Sequence, residues 1–459
     1  MLNLSDICDG EQNFCNFMEE NCLKYRKVLK RYNSQMLLAA EKTFRASTVS
    51  NVTLKHIVCH AVSPVLFDYV YWMLCEARNK KIERLYFFAR DGFILYKIAL
   101  LIVKKLKLNV DCRYLYISRF ASRIPLYHFS LETAFDFICE KKIFNSLRTV
   151  IQNITLDKNE FEYIRKLLNI EENRLDRELS LRELEELKNS FLKNEALKSY
   201  VYSLSEKAYE SAVKYFAQEG LYENVSFAFA DVGWRGTLQV SLNRLLSKRI
   251  PAFYFGLYTD EFLKESCNDL WTSYYFSSSK NFLRKLHFNN SLFECFCTAP
   301  DGMTSGYEFK NGKWIALFAS EGNVNCKKWF LQEQLNLIEA WTENYLSLGI
   351  PDSPSVKMDE KLLCALMFRP EKNEAELYGS YLFSDETNEE NLIQLAPEYT
   401  EKDFKAVLLR LLHKSLKRKC VKSFWRYGSI VRSKLDFLSK FVFRSYCYAA
   451  SVWTYIKQK

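Results

Sequence analysis

Four apolar runs along the chain each end on polar residues, and each is followed by a turn or a helix pattern. The first, Arg84 to Phe88 in ERLYFFARDGFILYKIALLI, passes through Asp91 and Gly92 into Ile94, Leu95, Ile98, Leu101 and Ile102, the one-face stripe of a helix that covers a sheet. The second, Tyr114 to Ile117, ends at Ser118. Strand, helix and strand within about 35 residues predict a right-handed parallel unit. The third, Val225 to Ala230, ends at Asp231, turns through Gly233 and Gly236, and enters a helix near Thr237. The fourth, Ala252 to Tyr258, ends at Thr259 and Asp260. Runs so nearly continuous in apolar residues belong to strands covered on both faces, which predicts an α/β core of Rossmann type.

Between the second and third strands lie roughly 100 residues with helical periodicity and dense charge, too long for an unstructured connection and predicted to be a cap-like helical insertion. After about Asp269 short aromatic runs take over, and Asn311-Gly312 in GYEFKNGKWIALF predicts a hairpin. Helical patterns follow from Asn325 to Leu348 and again from Glu401. The organisation expected is a helical segment over 1–50, an α/β core over 51–124 and 216–270, an insertion over 125–215, a short-strand region over 271–324, and a helical C-terminal region over 325–459.

Composition adds little to the fold and more to the surroundings. Gly (13) and Pro (8) are scarce in 459 residues, as in a helix-rich chain short of turns. The 14 cysteines form no CxxC pair; Cys8, Cys15 and Cys22 recur every seven residues, near one stripe of a helix, where a thiol packs as a small apolar group. Cys295-x-Cys297, read as a strand, points both thiols to one face. No basic start followed by an apolar run opens the chain, and no run of about 18 apolar residues is seen, the length that crosses a bilayer. These features predict a cytoplasmic protein. The formal charge of +10 resides in the tail: Lys414 to Lys459 holds twelve Lys or Arg against one acid, Asp436. Basic residues interleaved with Phe, Trp and Leu predict either peripheral contact with an anionic inner membrane face or a terminal helix docked on the body. No nucleic-acid-binding module accompanies the charge, so nucleic acid is not an expected partner.

Ligands of open parallel sheets bind beyond the carboxyl ends of the strands, where Asp91, Ser118, Arg119, Asp231, Thr259 and Asp260 are all expected. Asp91 and Asp231 are candidate Mg²⁺ ligands, because Mg²⁺ takes few carboxylates and keeps several waters. The segment Gly233 to Thr237 offers backbone N–H groups and a helix N-terminus to a phosphate. The plainer reading is that each acid caps a turn or helix and each glycine only permits the turn.

Three segments in this order, YFFARDGFIL (Tyr86–Leu95), YLYISR (Tyr114–Arg119) and FADVGWRGTLQ (Phe229–Gln239), with a weaker echo in LFECFCTAPDG (Leu292–Gly302), resemble the haloacid dehalogenase superfamily. The nearer likeness is to a bacterial branch found beside glycosyltransferases of surface-polysaccharide synthesis. The resemblance covers roughly residues 55 to 310. It implies a phosphatase-type protein acting with Mg²⁺ on a sugar phosphate or nucleotide sugar, with a glycosyltransferase as a possible partner. In the superfamily motif D-x-D-G-T the first acid attacks phosphorus and the second moves protons. Here Ala89 stands at the first acid, Asp91 at the second, Gly92 at the glycine and Phe93 at the threonine. Ser118 matches the hydroxyl residue that binds phosphoryl oxygens, Asp231 the acid that helps hold Mg²⁺, and Lys207 or Lys214 the usual lysine. Because an alanine methyl neither attacks phosphorus nor binds a metal, three options stay open. Asp91 attacks in a shifted register, Asp91 activates water, or the site only binds its ligand, as in a non-catalytic scaffold partner of a glycosyltransferase. Arg90 and Arg119 are candidate phosphate ligands or structural ion-pair partners. Glu294 is expected either to border the pocket or to sit in a buried ion pair. His56 and His60, four apart, lack a third metal ligand nearby in the sequence.

Overall fold

The computed structural model describes residues 23–459 except 142–144, 259–266, 268–269, 279, 385–391, 413–420 and 458–459, and the side chains of 410–412 and 454–457. Cys8, Cys15, Cys22, Thr259, Asp260 and His413 lie outside the described residues.

Helix α1 (Ser34–Ala46) starts at Asn33, whose side chain accepts the Met36 N–H, and helix α2 (Ser63–Asn79) follows a π-helical turn, Val58–Val62. The helical run Val52–Asn79 is in fact long and apolar enough to cross a bilayer, but most of it is buried inside the protein. It is polar at too few positions to show a stripe because neighbours cover nearly its whole circumference. Strand β1 (Arg84–Phe88) then leads through the turn at Ala89–Gly92 into helix α3 (Phe93–Leu106), which buries Ile94, Leu95, Ile98, Ala99 and Ile102. Strand β2 (Asp111–Leu115) stops short of Ser118, which instead caps the next helix.

Everything described from Arg119 to Gln218 is helical or loop, ending in helix α4 (Glu195–Gln218). The two ends of α4 serve different cores. Leu197 and Val201 pack with the insertion, and Ala212, Tyr215 and Phe216 pack with the sheet. Strand β3 (Phe227–Trp234) runs through Asp231 rather than ending there. It continues because Gly233 faces Gly256 across the ladder, and a Cβ at Gly233, where φ is +120°, would lie 2.0 Å from the Gly256 carbonyl oxygen. Helix α5 (Thr237–Leu246), strand β4 (Ala252–Leu257) and strand β5 (Trp271–Ser277) complete the α/β core.

The five strands form one all-parallel sheet in the order β2-β1-β3-β4-β5. The α/β class with a parallel, Rossmann-like sheet is therefore observed. The chain crosses outward from β1 to β2 and returns to the other side of β1 at β3. The loops after β1 and β3 thus diverge, and a crevice opens between them. At the opposite end of β1 the charges are paired. Buried Arg84 contacts Asp111 (2.7 Å), Glu223 (2.8 Å) and the Gly220 carbonyl (3.2 Å).

Helix α6 (Asn290–Cys297), the hairpin of β6 (Thr304–Lys310) and β7 (Lys313–Phe318), and helix α7 (Leu331–Ser347) follow. Cys295 and Cys297 are thus on a helix, where residues two apart do not face each other. The largest hydrophobic cluster joins residues of α1, α2, the sheet and α7, so the N- and C-terminal helices close over one sheet face. The last helix, α8 (Phe437–Lys457), docks through Phe443 and Cys447, while Phe437, Leu438 and Phe441 on its other side are exposed.

Candidate functional site

At the crevice between the ends of β1 and β3 lies a cavity of about 1100 Å³, roofed by the helical insertion, α6 and the β6 strand. Ala89, Arg90 and Asp91 reach it from the turn after β1, and Ser118 and Arg119 from the segment after β2. Asp231, Gly233 and Thr237 reach it from β3 and the start of α5. Residues scattered over nearly 150 positions of sequence are thus brought together by the parallel topology alone.

Two expected residues do not line the cavity. Gly92 is packed behind it, where a Cβ would meet the Phe88 carbonyl oxygen at 2.4 Å, so its role is to let the backbone turn back on β1. Gly236 is the N-cap of α5 with φ +64°, a left-handed residue that sets the helix entry. Neither candidate lysine lines it either. Lys207 is exposed, and Lys214 lies over the Trp314 ring at 5.6 Å. The lysines at the wall are Lys141 and Lys158, from the insertion.

Ser118 is occupied. Its hydroxyl donates to the Thr304 carbonyl at 2.6 Å and accepts the Ala121 N–H at 2.9 Å, which caps the helix that follows. The hydroxyl at the cavity wall that is buried without a partner belongs to Thr304 itself. Nothing in the sequence pattern marks Thr304, because its position depends on the hairpin folding back over β2.

The carboxyls carry the electrostatics. Asp231 is buried, with only 8% of its surface exposed, and burial pushes its carboxyl well above the usual range. The charge of Asp91 adds to this, and the amides of Val232 and Gly233 partly oppose it. Gly233 therefore directs its N–H at Asp231 rather than at the cavity. Glu294, half-buried on α6, is raised to about 8, first by burial and then by Asp91, against the opposing Trp234 indole and the charges of Arg119 and Arg90. The Trp234 N–H donates to Glu294 at 2.5 Å, so an indole takes the place of the ion pair allowed for above. The same surroundings push the thiols of Cys295 and Cys297 well up, which keeps them protonated and poor metal ligands. Asp91 thus stands beside two carboxyls whose charged forms are disfavoured, Asp231 and Glu294, and Glu294 keeps its proton at neutral pH.

No protein-family model and no curated protein matches this chain.

Among the described residues no group of three or more His, Cys, Asp or Glu is arranged as a metal cage. Mg²⁺, which uses only one or two carboxylates and keeps several waters, would need Asp231 to give up the proton that burial favours, a loss that the charge of the cation promotes. His60 lies 3.2 Å from Glu41 and His56 stacks on Phe44, far along the chain from the cavity residues and absent from its wall.

Raised carboxyls also occur away from the cavity. Asp68 on α2 accepts the Ser355 N–H at 2.7 Å, and Asp359 accepts the Tyr274 hydroxyl at 2.6 Å. Each keeps one buried oxygen without a hydrogen bond, and burial lifts Asp68 to about 7 and Asp359 well above the usual range. This pair joins α2 to the C-terminal helices and forms no part of the cavity wall.

Proposed function

We propose that the cavity binds a sugar phosphate or nucleotide sugar and cleaves or holds it without forming an aspartyl-phosphate, in a protein of haloacid-dehalogenase type serving surface-polysaccharide synthesis. The observation that carries the reading is the placement of Ala89, at the nucleophile position of the resembled motif, on the same cavity as Asp91, Asp231 and Glu294. Further support comes from β1 lying between β2 and β3, which brings the matched motif ends to one crevice. Arg90 and Arg119 supply planar donors suited to phosphate, and the Thr304 hydroxyl and the start of α5 supply neutral ones.

In this reading Asp91 accepts a proton from a water that attacks phosphorus. The bond from phosphorus to the sugar oxygen breaks, and the leaving oxygen takes a proton from Glu294, which environment keeps protonated near neutrality. Asp91 and Asp231 would hold Mg²⁺, whose charge would neutralise phosphoryl oxygens. Phosphate release from a panel of sugar phosphates and nucleoside diphosphate release from nucleotide sugars, with and without Mg²⁺, test the reading. Turnover that is unchanged in both Asp91→Asn and Glu294→Gln would falsify it.

The occupied Ser118 hydroxyl and the Ala89 methyl also favour a second reading, in which the cavity only binds its ligand and the protein serves as a scaffold for a glycosyltransferase. Ligand binding without turnover in the same assays selects it. In either reading α8 supports peripheral contact with an anionic membrane. Phe437, Leu438 and Phe441 are exposed along one side, with Lys434, Lys440 and Arg444 close by in sequence. Binding to anionic liposomes that persists after Phe437, Leu438 and Phe441 are changed to Ser would count against that contact.

A further inference from the structure

A second cavity of about 810 Å³ adjoins the first, and Trp234 and Arg235 line both. Its charge is of one sign. Arg235, Lys285 and Arg426 line it, and no Asp or Glu does among the described residues. Lys285 is half-buried, and desolvation pulls its ammonium down to about 8. It donates to Asn290 Oδ1 at 2.6 Å and to the Phe288 carbonyl at 3.3 Å, both neutral acceptors. The rings of Phe288 and Tyr258 lie 5.5 and 5.8 Å from its Nζ and offset part of the cost of burying the charge. A half-buried ammonium with no carboxylate beside it among the described residues is a poor structural element and a good anion receptor. The Tyr427 hydroxyl, at the same wall, is buried without a partner. Phe282 and Phe424 add apolar ring surface.

We infer that this cavity receives the nucleoside diphosphate end of a nucleotide sugar, with the diphosphate held at Lys285 and Arg426, the base among the rings, and the bond from phosphorus to the sugar directed past Trp234 to the first cavity. The orientation rests on the proposed function of the first cavity; binding of the nucleotide does not. Inorganic phosphate alone would leave most of the volume and all of the rings unused. A planar base provides the stacking partner that the rings call for.

Isothermal titration of the full chain with UDP, ADP, GDP, CDP and TDP, beside inorganic phosphate and the free nucleosides, tests this. At least one diphosphate should bind, and at least a hundredfold more tightly than either of its parts. Lys285→Met and Arg426→Met should each raise its Kd tenfold or more. Arg426 is exposed, so its variant should fold even if the Lys285 variant does not, and thermal melts check both. Asp231→Asn, in the first cavity, should leave that Kd within twofold. No binding by the unaltered protein overturns the proposal. So does binding weakened by Asp231→Asn but not by Arg426→Met, which would move the nucleotide to the first cavity and leave the proposed function standing. Nucleotide binding as expected, with no sugar phosphate bound or cleaved and no nucleotide sugar cleaved or bound more tightly than its nucleotide, would leave this inference standing and remove the proposed function.

Discussion

The two cavities share a wall and differ in charge. The one at the sheet end gathers Asp91, Asp231 and Glu294 beside arginines, whereas the one behind Trp234 holds Lys285 and two arginines with no described acid. Mixed charge suits proton transfer, because neighbouring carboxyls drive each other's protonation apart. A single sign with aromatic rings suits retention of an anion. In the proposed reading the first chamber cleaves and the second holds, with Trp234 and Arg235 as their shared wall.

The largest expected effect attacks the chemical half of that comparison. Asp91→Asn or Glu294→Gln should lower turnover of the responsive sugar phosphate by about 10²- to 10⁴-fold, the usual worth of a positioned acid or base, with little change in KM. The pH profile sharpens it. Activity that needs protonated Glu294 should fall as pH rises through about 8, and Glu294→Gln should lose that limb.

Next comes the partition itself. Gly233→Ala forces a methyl onto the Gly256 carbonyl at a positive φ, and should destabilise the protein by roughly 2–4 kcal/mol in urea melts. A smaller loss would mean that β3 and β4 can separate, so that the floor beneath Asp231 is less fixed than its burial indicates.

The smallest effect asks whether a raised carboxyl marks a site at all. Asp68 and Asp359 are lifted by burial as the cavity acids are, yet they line neither of the two cavities. Between the ordinary carboxylate value and about 7, native Asp68 keeps a proton that the unfolded chain has released, so stability should fall as pH rises through that window. Asp68→Asn should make the slope shallower, adding about 1–3 kcal/mol at pH 8 and nothing near pH 3, by thermal or urea unfolding. A flat pH dependence in the unaltered protein would sink this account of the pair.

The sequence was most legible where local pattern and topology agree. The apolar runs of β1, β3 and β4 needed no partner to be recognised, and the polar residues after them fell on one cavity because parallel strands align their ends. Strand β5 was harder, since WTSYYFS is half-covered at the sheet edge and resembles the short aromatic runs that follow it. Boundaries slipped where a side chain has two uses. Ser118 closes a helix cap, and Asp231 lies inside a strand that only facing glycines allow to continue. Glu294 was visible as a lone acid in an aromatic run, but not its indole partner. The Lys285 cavity was illegible, because it is assembled from residues near 235, 285, 367, 425 and 447 whose proximity only the packed C-terminal helices create.

Trp234 has one use beyond structure. Its indole N–H is bound to a carboxyl that titrates near pH 8, while its ring lies 5.4 Å from Phe288 on the side of the second cavity. Its emission is therefore a built-in optical gauge of both chambers. The difference spectrum between the unaltered protein and Trp234→Phe should respond to Glu294 deprotonation and to nucleotide arrival as separable signals, without any added label.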